Sequence, residues 1–592
     1  MSKVFVEPIG VTVEVPGDST LLPALKHPSV GGHTDCMGRG TCGKCLVRIG
    51  AGEVTPPTDI ELKRVPAEKL AAGWRLGCQA KPLSARVSIE VRSTGGRRQI
   101  LTTSKLHRGA VKPAVRREVV TLPVPTMADA RSDLERLCAA VPHAEIPYQV
   151  LRMLPAAVRG NGWHVTVTRY DHRLIDIEQA DAPAAFYGAA VDIGTSKIVA
   201  YLFDLRDGRQ IDQEAVENPQ IRFGEDVITR IAHCEDDAAL VEIASAARDG
   251  INETLTRLYA RQGISARHLY DMTIVGNTAM HHLALCLPPR GLGQSPYAPV
   301  VARPVLVRGR DLGLMMNPEG GVYFPPPIAG FVGSDALAVI AATRLATKRK
   351  PTMAIDIGTN TEIAFVAGGK LTVTSCASGP AFEGYQITHG MKAVEGAIEK
   401  IKLRDDGRPY AIRTIGDVPP VGLCGSGVVD LLAGLVRVGI VGPTGRMEEH
   451  PRVRKGSTGR EFLIVEREGG DIVFTQHDVR ALQLAKGAIA TGWSLLLEDQ
   501  GMTAADLDRV YVAGAFGNYL DLTNAIAIGL LPPVPEDRVA FVGNAAGVGA
   551  QMALIDVRAR TRMARLRSSA EFLELGTHKS FNDAFNSHLS FT

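Results

Sequence analysis

Four cysteines, Cys36, Cys42, Cys45 and Cys78, follow the spacing C-x5-C-x2-C-x32-C, and four thiolates so placed make a complete ligand shell for a two-iron, two-sulfur cluster. The stretch CMGRGTCGKC bends three of them round one loop, where Gly38, Gly40 and Gly43 let backbone amides turn toward the cluster without a Cβ clash. Cys78, in GWRLGCQA, closes the shell from a second loop. Zinc usually takes two C-x2–4-C knuckles, and here only Cys42 and Cys45 form one. Disulfides need an oxidising compartment. The opening MSKVFVEPIGVTVEV has neither the basic region nor the unbroken apolar core of a secretory signal, so a cytoplasmic chain is expected. Cys138, Cys234, Cys286, Cys376 and Cys424 stand singly and read as buried structural thiols.

A second chemistry is written twice. VDIGTSKIVAYLFD (191–204) and AIDIGTNTEIAFV (354–366) each read as a strand that delivers an aspartate, a tight Gly-Thr turn and a returning apolar strand. Such a turn offers backbone N–H groups and a hydroxyl to a phosphate, while Asp192 or Asp356 can hold Mg²⁺ or its water. Strand-Asp-Ile-Gly turns are common singly; two at domain-sized separation are a pattern. A third element, VYVAGAFGNYLD (510–521), is an apolar strand ending in Gly-Ala-Phe-Gly, where missing side chains would let a flat ring such as adenosine approach the backbone. The alternative is a turn shaped by its own packing.

The elements that must position these residues follow from periodicity. Residues 4–6 and 11–15 alternate as two strands across a Pro-Ile-Gly turn, Asp18-Ser19-Thr20 offers a cap to LLPALK, and CLVRI and VSIEVR add strands, as in a small β-grasp domain. After Gly95-Gly96 a polar, basic run to about Arg117 reads as a linker. Between 118 and 186, SDLERLCAAV and PYQVLRML have helical period whereas WHVTVTRY and RLIDIEQ alternate, which predicts a small α+β region. A helix is expected over 478–499, with Gln483 and Lys486 beside its apolar face facing the adjoining subdomain.

With 592 residues the chain has room for about four domains. A net charge of +3 supplies no field that calls for nucleic acid or an anionic membrane, and 5% aromatics do not suggest base-stacking platforms. The longest apolar run, VVDLLAGLVRVGIV, is cut by Arg437. Neither a nucleic-acid nor a membrane partner is expected.

The order hairpin, hairpin, adenosine-type turn resembles the acetate and sugar kinase, heat-shock chaperone and actin superfamily. The cysteine spacing is similar to plant-type ferredoxins with one extra residue in the first gap, and nearer to the vertebrate type. A ferredoxin domain fused in front of such an ATPase resembles the reductive activators of corrinoid enzymes, as do IVGNTAMHH (274–282), PPIAGFVGSD (326–335), ASGPAFEG (377–384) and GLCGSGVVD (422–430). The resemblance implies an α/β multidomain chain: a [2Fe–2S] domain at 1–95, a linker at 96–117, an α+β middle domain at 118–186, and two RNase-H-like ATPase subdomains at 187–350 and 351–592. It assigns Asp192, Gly194 and Thr195 to a first phosphate-binding turn and Asp356, Gly358, Thr359 and Asn360 to a second, with Gly514, Ala515 and Gly517 at adenosine. Gly425, Ser426 and Gly427 open a helix whose amides could face an anion or simply pack. Lys197 departs from the hydroxyl residue common at that point of related hairpins. Asp335 and Glu383 are candidates to orient water, set against structural roles, and His281 and His282 read as ordinary polar contacts.

The implied activity is ATP-dependent transfer of one electron to cob(II)alamin in a corrinoid protein of a methyltransferase system, with Mg²⁺ as cofactor, an upstream low-potential electron donor and a homodimer. Alternatives are an activator of another enzyme, or an electron carrier or redox sensor that binds nucleotide without coupled hydrolysis.

Overall fold

The computed structural model describes residues 2–7, 11–16, 18–26, 40, 45–91, 111–160, 162–181, 185–457, 459–467, 470–514 and 520–591. Cys36, Cys42, Ala515 and Gly517 lie outside them, as does the Pro-Ile-Gly turn. The chain divides into two compact units, Met1–Arg98 with Lys400–Arg413, and the remainder.

In the first unit the alternating strands form a five-stranded sheet in the order Val11–Val15, Ser2–Glu7, Arg86–Val91, Leu46–Ala51, Trp74–Leu76. Ser2–Glu7 runs parallel to Arg86–Val91 and antiparallel to its hairpin partner. Val4, Val6, Val47, Leu76, Val87 and Ile89 supply one apolar core. Leu46 pairs with Leu76 in an antiparallel register, so Cys45 and Cys78 leave the same end of that strand pair. The sheet thus brings together two cysteines far apart in sequence.

In the second unit the α+β region forms as read, with helices Asp133–Ala140 and Tyr148–Gly160 and strands His164–Tyr170 and Arg173–Gln179. One boundary needs correcting. Strand Val115–Thr121 starts inside the expected linker and pairs with His164–Tyr170, because Val115 is buried against Tyr170 and Ile175 where the local sequence shows only charge.

Two six-stranded sheets follow, and they share a plan. In the first, Tyr187–Ile193, Lys197–Asp204 and Arg209–Glu217 make an antiparallel meander, and Leu269–Gly276 adds in parallel to Tyr187–Ile193. In the second, Thr352–Ile357, Thr361–Ala367 and Lys370–Cys376 make the meander, and Arg509–Ala513 adds in parallel to Thr352–Ile357. Val539–Gly543 then extends the second sheet in parallel. The two Asp-Ile-Gly-Thr stretches therefore occupy the first turn of each meander, and the sequence echo is a structural repeat. Helix Ser334–Thr343 packs against strands of both sheets, and helix Ala545–Ile555 packs against it and against the first sheet. A Cβ on Gly549 would clash with Ala338, so these small-residue helices approach backbone to backbone.

The expected long helix spans Gln476–Glu498, opened by a Thr475/Asp478 capping box. Gln483 and Lys486 face not a neighbouring subdomain but the C-terminal segment: they donate to Leu589 O at 2.8 Å and Ser590 O at 2.5 Å.

Candidate functional site: a cysteine pair and a carboxylate-lined cleft

Cys45 and Cys78 are buried, and their sulfurs lie 3.2 Å apart. A disulfide would hold them at about 2.05 Å, so these are two thiols that converge on one point without a bond between the sulfurs. That arrangement fits a shared metal cluster. Gly40, φ +74, is the described residue of the intervening loop, and a Cβ there would come within 2.6 Å of Ile60 Cγ2. The strand that delivers Cys78 is pinned from below. Arg75 donates to both carboxylate oxygens of fully buried Glu61, at 3.0 and 2.8 Å, and Leu76 N–H donates to the same group at 2.9 Å. Burial pushes the Glu61 carboxyl up, but Arg75 and the backbone N–H groups of Thr58 and Leu76 outweigh it and hold the pKa below the usual value.

In the second unit, both turn glycines face a carbonyl: a Cβ would come 3.0 Å from Lys197 O at Gly194 and 3.2 Å from Asn360 O at Gly358. Gly194 N–H donates to Lys197 O at 2.9 Å, so this amide closes the turn and does not point outward. Thr195 accepts from Asn277 Nδ2 at 3.2 Å on its hydroxyl and from Arg230 Nη2 at 2.7 Å on its carbonyl. Lys197 is exposed, and Asn360 is partly exposed. Gly514, φ +94, abuts the second turn: a Cβ there would clash with Ile357 O and stand 3.1 Å from Asp356 Oδ1. Gly425, Ser426 and Gly427 open helix Gly425–Arg437 and are buried by packing. Ser426 donates to Glu399 O at 2.9 Å, and a Cβ on Gly427 would clash with Ile398 O.

Four carboxylates share the cleft. Burial raises Asp192 to about 6, with an opposing hydrogen bond from Asn544. Burial also raises Asp335, to which the Asp192 charge adds. Asp356 reaches about 8 through burial and the charges of Asp335 and Asp192. Glu362 is raised well above its usual value by burial, then by Asp335 and Asp356. Among the described residues no cation is a leading influence on any of the four. Among the described residues no three such groups converge closely enough to enclose a metal ion. The arrangement suits Mg²⁺, which takes one or two carboxylates and completes its shell with water and phosphate oxygens.

Two residues escaped the sequence reading. Asn277 caps helix Thr278–Ala284, and Asn544 caps Ala545–Ile555, each accepting a backbone N–H on Oδ1. Each turns its Nδ2 to the first hairpin, Asn277 to Thr195 and Asn544 to Asp192 Oδ2 at 2.9 Å. The signal was a second echo, VGNTA at 275–279 and VGNAA at 542–546, in which a Gly-Asn cap follows an apolar strand. His282 is an ordinary contact: one ring nitrogen faces Thr278 O at 2.7 Å and the other accepts from Val300 N–H at 2.9 Å.

Comparison with known proteins covers both units. Residues 4–83 match the 2Fe-2S iron-sulfur cluster binding domain, 104–183 the RACo linker region, 187–348 the RACo middle region, and 350–592 the C-terminal domain of RACo, the ASKHA domain. Corrinoid activation enzyme RamQ of Eubacterium limosum is 35% identical over 571 residues, 93% of this chain and 92% of the relative. The chain belongs to the RACo family. A second member-like relative, the [Co(II) methylated amine-specific corrinoid protein] reductase of Methanosarcina barkeri, is 25% identical over 68% of this chain and 77% of its own length. The solved structure of a reductive activator for corrinoid,iron-sulfur protein superposes with a TM-score of 0.75 at 33% identity, covering 100% of this chain and 98% of that one. As the family requires, the chain carries a [2Fe–2S] domain and an ATP-binding ASKHA domain. Among the described residues no helix is long and apolar enough to cross a membrane.

Proposed function

We propose that this chain is an ATP-dependent reductive activator that passes one electron through its [2Fe–2S] cluster to a corrinoid protein of a methyltransferase system, returning cob(II)alamin to cob(I)alamin. The observation that carries this reading is the near full-length likeness to corrinoid activators of a chain holding both a cluster domain and an ASKHA domain. The electron comes from an upstream low-potential donor, and the chain works as a cytoplasmic homodimer.

The cluster, held by Cys36, Cys42, Cys45 and Cys78, supplies one-electron chemistry at about −400 mV if it behaves as plant-type clusters do. The burial of Cys45 and Cys78 and the clamped strand before Cys78 keep water from these two sulfurs and fix their positions. In the cleft, Asp192 and Asp356 organise Mg²⁺ and its water, Thr195, Gly358, Thr359 and Asn360 hold phosphates while Gly194 closes the first turn, and Gly514 with Ala515 and Gly517 receives adenosine. Gly425, Ser426 and Gly427 shape the wall beyond. Coupling needs only that nucleotide favour one redox form of the complex. A population swing from 1:99 to 99:1 takes about 5.5 kcal/mol, which spans roughly 230 mV for one electron at about 1.4 kcal/mol per 59 mV.

The test is anaerobic mixing of reduced protein, Mg-ATP and a candidate corrinoid protein while the cob(II)alamin absorption is followed. The signal should fall with ATP and persist without it. Cys42→Ser should abolish transfer with nucleotide still bound. Asp192→Asn or Asp356→Asn should each lower ATP turnover at least about tenfold with cluster content unchanged. Reduction that runs equally well without ATP overturns the coupling.

A further inference from the structure

Glu383 belongs to neither hairpin, yet its carboxylate holds both. Ser196, in the first turn, donates to Oε2 at 2.7 Å, and Thr359, in the second, donates to Oε1 at 2.6 Å. The bridge crosses from one six-stranded sheet to the other, since Ser196 lies between Tyr187–Ile193 and Lys197–Asp204 while Thr359 and Glu383 belong to the second half.

The turn that carries Glu383 is rigid and fastened to the second hairpin. It is the short 3₁₀ segment Pro380–Glu383, flanked by Gly379 and Gly384 at φ 72 and 89. A Cβ on Gly384 would stand 2.6 Å from Met391 O, and Pro380, Ala381 and Phe382 are buried. Just before it, the Ser378 hydroxyl pairs with that of Thr361 at 2.9 Å. The arm to Thr359 is therefore local, and the arm to Ser196 is the one that can part without unfolding anything.

Each hydroxyl has one proton and can give it to one acceptor. A phosphate oxygen and the Glu383 carboxylate, both acceptors and both negative, cannot use Ser196 and Thr359 together. The two ends are not equivalent, because Gly514, where the adenosine-type stretch begins, lies against the second hairpin, beside Ile357 and Asp356. A nucleotide entering from that side brings its inner phosphates to Thr359 first, and only the far end of its phosphate chain reaches Ser196.

From this geometry we infer that Glu383 is a nucleotide-state latch: it ties the two hairpins together in the nucleotide-free chain, and the terminal phosphate of a triphosphate takes Ser196 from it and releases the cross-sheet bridge. Asp192, Asp335 and Asp356 in the same cleft make release dependent on the Mg²⁺ that accompanies the phosphates. This inference rests on the ATP reading above. It assigns Glu383 a positioning role, as the group through which a triphosphate is told from a diphosphate.

The test uses the full chain with its cluster. Hydrogen–deuterium exchange at residues 194–197 is measured without nucleotide, with Mg-ADP and with a Mg-bound non-hydrolysable ATP analogue, and calorimetry gives both affinities. In the wild type, exchange there should rise several-fold with the analogue and stay low with ADP. Glu383→Ala and Ser196→Ala should each raise it without nucleotide, and Glu383→Ala should shift the analogue-to-ADP affinity ratio about tenfold toward the analogue by removing the competing charge. Glu383→Gln separates the two effects, because its amide can accept from one hydroxyl and donate to the other: exchange should stay low while the ratio still shifts. Unchanged exchange in both alanine variants, with both nucleotides bound, overturns the latch alone. A wild type that binds neither nucleotide overturns the ATP reading and the latch with it.

Discussion

Cutting the Arg75–Glu61 pair should loosen the cluster unit from the Cys78 side. Glu61 is fully buried and Arg75 nearly so, and the guanidinium also reaches Thr55 O at 2.5 Å and Pro56 O at 3.1 Å. Arg75→Leu removes four hydrogen bonds at once and leaves a carboxylate inside the fold with the backbone N–H groups of Thr58 and Leu76 and the Thr58 hydroxyl but no cation. Breaking one member of a buried pair costs about 3–5 kcal/mol, whereas replacing both by apolar side chains is often nearly neutral. A unit of this size shifts its midpoint by about 4–8 °C per kcal/mol, so the single variant should melt at least about 12 °C lower, and Arg75→Leu with Glu61→Leu should recover most of that. The assay is thermal and denaturant unfolding followed at the cluster absorption, with iron counted per chain. If Arg75→Leu lies within about 1 kcal/mol of wild type, or the double variant is no better than the single, the pair does not hold the Cys78 strand. Because the Glu61 pKa is depressed, its contribution is present above the unfolded carboxylate value of 4.5 and is lost as pH falls through the folded one.

The cleft behaves in the opposite sense: Asp192 and Asp356, raised from 3.8 to about 6 and about 8, stabilise the nucleotide-free fold below the unfolded value, and that stability is lost as pH rises through the folded ones. The melting temperature without nucleotide should therefore fall from pH 5 toward about pH 8.5, Mg-ADP should restore it, and Asp356→Asn should flatten the slope. Gly514→Ala must place a Cβ against Ile357 O at φ +94, so nucleotide affinity measured by calorimetry should drop at least about tenfold with cluster content intact. Asn544→Ala should cost about 1 kcal/mol of stability through the lost cap, whereas Asn544→Asp keeps the cap and sets a second carboxylate beside Asp192, so it should weaken Mg-nucleotide binding more than it lowers the melting temperature.

What the sequence revealed was what is local. Turn chemistry and strand period are written within about a dozen residues, so the twin hairpins and the α+β elements were legible, and of the expected cysteine shell the described pair, Cys45 and Cys78, converges. The carboxylate-lined site was legible only in part. Glu383 meets Ser196 across 187 positions, and Asn544 meets Asp192 across 352, and no spacing rule joins partners so distant. The Val-Gly-Asn echo announced two helix caps but not where their free amide groups would point. The linker was drawn too long because the run before residue 118 shows its charges locally, while the burial of Val115 depends on a strand some fifty residues later.

The packing of Ala545–Ile555 on the first sheet has a consequence for anyone who would divide this protein. A cut near residue 350 separates the two sequence repeats but not two self-sufficient bodies. The fragment before it lacks the helix that covers Tyr201 and the strand of Asp192, and the fragment after it carries that helix with its small-residue face bared. Expressed together, the pieces should find each other as a split protein does; expressed alone, each should be sticky and prone to proteolysis.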